Sequence, residues 1–231
     1  VPPVPEAARR LHRQPAGMNF FKQEHNERYA AHFNLAGANL VNMKPDTGYR
    51  QVDELLHEGE KEAQRRFGVD GFWNIHNLNA MFHEIISSRL AAFIEGLPFF
   101  FIATANVQGE CDCSFRGREH DVSGRPYPLV KVLDTKTLVF PDYRGNKLFN
   151  SLGNIIVNGH IGMLFMDFQS RTRVRLNGRA EVIEDQKAYS DVWPLAQRYV
   201  RVTAVQVYGN CKARIPRMML VPPTDSEFHD E

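Results

Sequence analysis

Leu138-Val-Phe-Pro-Asp-Tyr-Arg-Gly-Asn-Lys-Leu-Phe-Asn-Ser-Leu-Gly-Asn-Ile-Ile-Val-Asn158 reads as a strand, a polar loop and a helix in succession. The β-rich run 137–140 stops at Pro141-Asp142. A loop with two cations and a glycine follows, Arg144-Gly-Asn-Lys147. Leu148, Phe149, Leu152, Ile155 and Ile156 then recur at helical spacing. This order suits an anion. The first N–H groups of a helix carry partial positive charge, and Arg144 and Lys147 add full charges beside them. The glycine lets backbone approach a ligand closely. A plain βα connection with solvated charges uses the same residue types.

Strand signals continue on both sides of this stretch. Phe99-Phe-Phe-Ile-Ala-Thr-Ala105 is a buried strand, and Asn106-Val-Gln-Gly109 a hairpin turn. Further strands are expected at 110–115, 129–133, 160–168, 172–183 and 201–208. Asn177-Gly178 marks a bulge inside the longest of them. A long polar loop is expected at 116–128. A helix around Trp193 is expected within 185–199, limited by Pro194. At least seven short strands in sequence, joined mostly by turns, favour an antiparallel barrel or sandwich over a parallel sheet.

The helices lie upstream. Residues 77–94 carry the strongest helical stripe: Leu78, Met81, Phe82, Ile85, Ile86, Leu90, Phe93 and Ile94. Asn77 is the expected N-cap and Gly96 the residue just past the end. A second helix is expected over 51–67, and a short one at 24–33. Residues 1–17 are proline-rich and basic and read as an arm with little to bury. The acidic residues at the C-terminal end read as a loose tail.

The 231 residues carry a net charge of +1, which gives no basic field for nucleic acid or an anionic membrane surface. No apolar run is long enough to span a bilayer. The start, Val1-Pro-Pro-Val-Pro5, lacks the cationic segment and apolar core of a signal peptide. Three cysteines without framework spacing fit a reducing cytoplasm. Cys111-Asp-Cys113 and His57-Glu-Gly-Glu60 hold metal-ligand residue types, but neither has the spacing of a metal set, so no metal is expected.

A family resemblance rests on particular segments. These are Ser114-Phe-Arg-Gly117, Val130-Lys-Val-Leu-Asp134, Thr137 through Lys147, Leu152-Gly-Asn154, Gly162-Met-Leu-Phe165 and Val174-Arg-Leu-Asn-Gly-Arg-Ala180. Together they resemble the pyridoxamine 5′-phosphate oxidase-like, FMN-binding split-barrel proteins, closest to a branch with an extra N-terminal helical region. The likeness covers roughly residues 70–217. It implies a mainly β, α+β fold: a six-stranded antiparallel split β-barrel with flanking helices. An N-terminal arm and helical extension would occupy residues 1–69, and the FMN-binding domain residues 70–231. It also implies a homodimer with FMN at the interface. The phosphate would be held by Ser114, Arg116 and Gly117 from one place and by Arg144, Asn146 and Lys147 from another. Backbone groups of Phe115 and Gly117 would face the flavin ring. The tail Asn210-Cys-Lys-Ala-Arg-Ile215 is similar to a family element that reaches the partner subunit. A phosphomonoester matches arginine forks and a helix start.

The resemblance departs from true pyridoxamine phosphate oxidases in two places. The C-terminal arginine and histidine motif is not found, and the cationic loop before the central helix is shortened to Arg144-Gly-Asn-Lys147. The expected function is therefore a flavin-dependent oxidoreductase with a small-molecule substrate, or a donor such as NAD(P)H. The alternative is a non-catalytic protein that stores flavin or haem on the same barrel. Tyr143, His120 and His160 are acid–base candidates by residue type only. Arg171, Arg173, Arg175 and Arg179 would be the nucleic-acid reading, and an alternating row of this kind also suits a solvated strand edge.

Overall fold

The computed structural model describes residues 50–221. The N-terminal arm, the helix expected at 24–33 and the acidic tail lie outside the described residues. Among the described residues four helices come first: α1 (Val52–Leu55), α2 (Glu58–Arg66), α3 (Ile75–Met81) and α4 (Ser88–Gly96). The strands β1 (Phe99–Ala105), β2 (Cys111–Gly117), β3 (Lys131–Val132) and β4 (Thr137–Asp142) follow. After α5 (Asn150–Val157) come β5 (His160–Asp167), β6 (Thr172–Ile183) and β7 (Arg198–Gly209). No helix among the described residues is long and apolar enough to cross a membrane.

All seven strands form one antiparallel sheet in the order β2-β1-β5-β6-β7-β4-β3. The sheet has one strand more than the six of the expected barrel, and its ladder ends at β2 and β3 rather than closing. Alternation along β1, β5, β6 and β7 sends Phe100, Ile102, Met163, Phe165, Leu176 and Val202 into one core with Leu152 and Ile155 of α5. The register slips at Asn177/Gly178, where the sequence marks a bulge. A Cβ at Gly178 would collide with the Thr203 carbonyl oxygen, so only glycine fits there.

Both long helices expected upstream are divided. The 77–94 stripe becomes α3 and α4, because His83 leaves the helix to exchange two backbone hydrogen bonds with Val207 of β7, at 2.9 and 2.6 Å. The stripe serves two cores. Leu78 and Phe82 pack with Leu55 and Leu56, whereas Ile86, Leu90 and Ile94 join the main core. The N-cap of α3 is Asn74 rather than Asn77, and Ser87 caps α4 by accepting from the Leu90 N–H at 3.1 Å. Gly96 is the last helical residue, not the one beyond it. The 51–67 helix breaks at the extended Leu56-His57. There His57 caps α2, and Glu60 accepts from the His57 N–H at 2.9 Å.

Three further corrections bear on the site. First, β2 runs on through Arg116 and Gly117, which were expected in the following loop. Second, β4 continues through Pro141 to Asp142. Proline is tolerated there because β3 pairs only with Val139 and Leu138, leaving that side of Pro141 without a ladder neighbour. Third, the segment expected to be helical around Trp193 is a chain of turns, and β7 begins at Arg198. The Trp193 indole is buried beside Val139 and Tyr199 and donates to the Pro128 carbonyl at 2.6 Å. That anchor fixes the turns where an amphipathic helix was expected.

Candidate functional site

The edge strand β2 carries two different faces. Cys111-Asp-Cys-Ser-Phe-Arg-Gly117 alternates with the pleat, so Asp112, Ser114 and Arg116 share one face and Cys111, Cys113 and Phe115 the other. The first face turns toward α5 and the end of β4. Asp112 accepts from the Ser151 hydroxyl at 2.8 Å and so ties β2 to the first turn of α5. Asp142, only 6% exposed, accepts from Arg116 of β2 and from Arg198 of β7, each at 3.0 Å. One buried carboxylate therefore organises two guanidinium groups from strands far apart in sequence.

Between Asp142 and α5, residues 143–149 form the outer wall of a cavity of about 310 Å³. Ser114, Arg116, Asp142, Asn146, Lys147 and Ser151 line it. The wall is built on unusual backbone: Lys147 and Phe149 have φ of 66° and 57°, the left-handed region that non-glycine residues rarely occupy. Such strain persists where the surroundings enforce it. Asn146 accepts from the Leu148 N–H at 3.0 Å and stabilises the turn. Phe149 is the N-cap of α5 and provides no side-chain cap. The start of α5 thus brings backbone donors without a side-chain acceptor to the cavity.

Two buried polar atoms here have no partner among the described residues, the Arg116 Nε and the Tyr143 hydroxyl. Burial pushes the Tyr143 hydroxyl well above its ordinary pKa. Arg144 and Lys147 of the 143–149 segment, with Arg116 and Arg198 beside it, line the two cavities together with the carboxylates Asp112 and Asp142. Positive charge is in excess, and the Asp142 carboxylate is already shared between two arginines.

Of the residues expected at a phosphate site, Ser114, Arg116, Asn146 and Lys147 line this one cavity, and Gly117 and Arg144 do not. Arg144 lines an adjacent cavity of about 390 Å³ with Arg198 and Phe149. The Phe115 ring lies on the opposite face of β2, 60% exposed, stacked on Phe99 at 5.4 Å between centroids. Gly117 sits against that ring, and a Cβ there would lie 3.1 Å from Phe115 Cε1. Tyr143 borders both cavities. His120 lies in the 118–128 loop, bridged to Pro126, and His160 contacts Asn158 and Arg179 at the start of β5. Among the described residues no histidine lines either cavity. Among the described residues no three His, Cys, Asp or Glu side chains cluster as metal ligands would.

Asp112, Asp142, Ser151 and Arg198 were not anticipated. Asp112 lay inside the strand expected at 110–115, where alternation already puts it on the face of Ser114. Asp142 lay inside the decisive stretch but read as a turn residue. Arg198 lay in a segment read as helix, and no local signal links it to Asp142.

A family profile described as pyridoxamine 5′-phosphate oxidase matches residues 86–218. The chain belongs to the pyridoxamine 5′-phosphate oxidase family. The matched range contains α4, α5, every strand and every residue lining the two cavities; α1–α3 precede it. No curated protein matches the chain. Among solved structures it is similar to HupZ of Group A Streptococcus, with 16% identity, coverage of 54% of this chain and 93% of HupZ, and a TM-score of 0.42. It is also similar to a putative pyridoxamine 5′-phosphate oxidase from Lactobacillus delbrueckii, with 19% identity, 55% and 95% coverage and a TM-score of 0.41. HutZ, described as the heme storage protein of Vibrio cholerae, shares 11% identity over 52% of this chain and 90% of its own, with a TM-score of 0.36.

Proposed function

We propose that this protein binds FMN, with the flavin phosphate in the cavity between β2 and the start of α5, and acts as a flavin-dependent oxidoreductase. The observation that carries the reading is the meeting of Arg116 and Lys147 in one cavity at an uncapped helix start. Arg116 is already positioned by Asp142 and keeps a buried Nε without a partner. A phosphomonoester accepts from guanidinium, ammonium and helix-start donors of this kind. Ser114 and Asn146 supply neutral polar groups beside it. The backbone of Phe115 and Gly117 lies along the route from phosphate to ring.

Bound FMN would supply hydride chemistry, and the protein would supply orientation and electrostatics. Among the described residues no histidine lines either cavity, and the carboxylates at the first, Asp112 and Asp142, already accept from Ser151 and from Arg116 and Arg198. Direct hydride transfer to a flavin needs no dedicated base. The same fact leaves room for a storage protein that holds flavin without turnover.

The protein works as a homodimer in this reading. The outward face of β1 and β2 carries a half-buried aromatic cluster in which Phe99 contacts Phe101, the exposed Phe115 and Phe168 at 5.8, 5.4 and 6.2 Å. A second copy would bury it and bring its own groups to the reverse side of the phosphate strand. We take β1, β2 and β4–β7 as the six strands of the family barrel, with the short β3 as an addition at one edge. The free cysteines suit a cytoplasmic setting.

The test is the visible spectrum of the purified protein after incubation with FMN and removal of the excess, followed by addition of NADPH or NADH. Retained flavin bands that bleach with the donor and recover with an acceptor support the oxidoreductase. Retained bands without bleaching select storage. Protein that cannot be loaded overturns the FMN reading, and a Soret band on adding haem would replace it.

A further inference from the structure

The 143–149 segment has a cavity on each side, and the FMN phosphate needs only one. The second cavity, of about 390 Å³, is lined by Arg144, Lys147 and Arg198 with Tyr143, Phe149 and Gln197. Three of these side chains are cations and none is acidic. Among the described residues, the side chains of Arg144 and Lys147 form no ion pair or hydrogen bond. Arg198 is fixed in two ways. It donates to Asp142 at 3.0 Å, and its guanidinium lies over the Phe149 ring, 5.0 Å from the centroid. A guanidinium has five donors in a planar fork, and the bond to Asp142 uses one of them. Phe149 holds that platform from a left-handed backbone position, two residues after the left-handed Lys147. The strained segment therefore contributes Lys147 to the shared wall and the Phe149 ring on which Arg198 of β7 stacks at the second cavity.

We propose that this second cavity is a separate anion subsite for a phosphate or diphosphate group other than the phosphate held by Arg116. The inference deepens the FMN reading and rests on it. It moves Arg144 from the FMN phosphate to a second anionic group. That group has two possible sources: a further phosphate of the cofactor molecule itself, as in a flavin dinucleotide, or the phosphate of a separate nucleotide co-substrate. Both require cations with free donors and room beyond a single phosphate, and the second cavity supplies both.

The test uses the full chain loaded with FMN and titrated with pyrophosphate and with inorganic phosphate by calorimetry, in wild type and Arg144→Ala. Arg144 is exposed, so the variant is expected to fold. The expected result is one further site in the FMN-loaded wild type, weakened about tenfold or more in Arg144→Ala, as the loss of a charge-assisted contact implies. FMN retention should fall far less in Arg144→Ala than in Lys147→Ala. FAD and FMN affinities, measured on apoprotein, separate the sources. A loss of FAD but not FMN affinity in Arg144→Ala assigns the subsite to the cofactor's own diphosphate. Unchanged affinity for both, with pyrophosphate binding lost, assigns it to a co-substrate. The proposal is overturned if FMN-loaded protein binds neither anion and the FAD to FMN ratio is unaltered. It is also overturned if Arg144→Ala releases FMN as readily as Lys147→Ala. A wild type that binds no FMN would instead sink the reading beneath it.

Discussion

The two cavities beside residues 143–149 share Lys147 but hold their arginines differently. On one side Arg116, its side chain 19% exposed, is tied to a buried carboxylate. On the other, Arg198 is tied to the same carboxylate, but Arg144 extends into solvent without a partner among the described residues. The first arrangement loses its conformational freedom during folding, so little remains to be lost when an anion arrives. The second must order a long side chain at the moment of binding. Charge alone does not separate the two. Asp142 preorganises Arg116 in the first cavity and Arg198 in the second, and the difference is the additional Arg144, which it does not hold.

The largest effect should come from breaking that organiser. Asp142→Asn leaves Arg116 and Arg198 facing each other without a carboxylate, and removing one partner of such a network costs about 3 kcal/mol. Urea unfolding should show this loss, and the variant should not retain FMN. Arg116→Ala and Lys147→Ala come next. Each should weaken FMN by about 1.5–3 kcal/mol, read by fluorescence titration. Unchanged affinity in both would remove the phosphate from this cavity.

Lys147→Gly sharpens the comparison by separating strain from charge. Glycine accepts the left-handed backbone, so this variant should be more stable than Lys147→Ala by about 1 kcal/mol while losing FMN equally. Equal stability of the two would show that the turn relaxes once the lysine is gone. The smallest effect concerns Tyr143, which borders both cavities. Its folded pKa is raised by burial, so the protein loses stability as pH rises beyond the ordinary value of 10.0 toward the folded value. Tyr143→Phe should unfold less steeply than wild type above that pH. Identical alkaline profiles would mean that Tyr143 is not held protonated by its surroundings.

Much of the sheet was legible because strand alternation and turn chemistry agree along it. The 99–105 and 172–183 strands fall where period-2 patterning put them, and the Asn177-Gly178 bulge was written in the residues themselves. Helices were less legible where one stripe fed two cores. Nothing in Leu78 through Ile94 signals that His83 leaves the helix to pair with Val207, more than 100 residues away. The site divided in the same way. Ser114, Arg116, Asn146 and Lys147 stood in local motifs and meet in one cavity. Asp142 and Arg198 meet through the β4–β7 pairing, a long-range contact that a linear reading does not contain.

The central claim is that Arg116, held by Asp142, receives a phosphomonoester. The most direct measurement compares FMN with riboflavin, which differs only in lacking the phosphate, by flavin fluorescence titration of wild type and Arg116→Ala. The account predicts that wild type binds FMN at least about tenfold more tightly than riboflavin, and that Arg116→Ala removes most of this preference. Equal binding of the two flavins by wild type, or a preference that survives in Arg116→Ala, would contradict it.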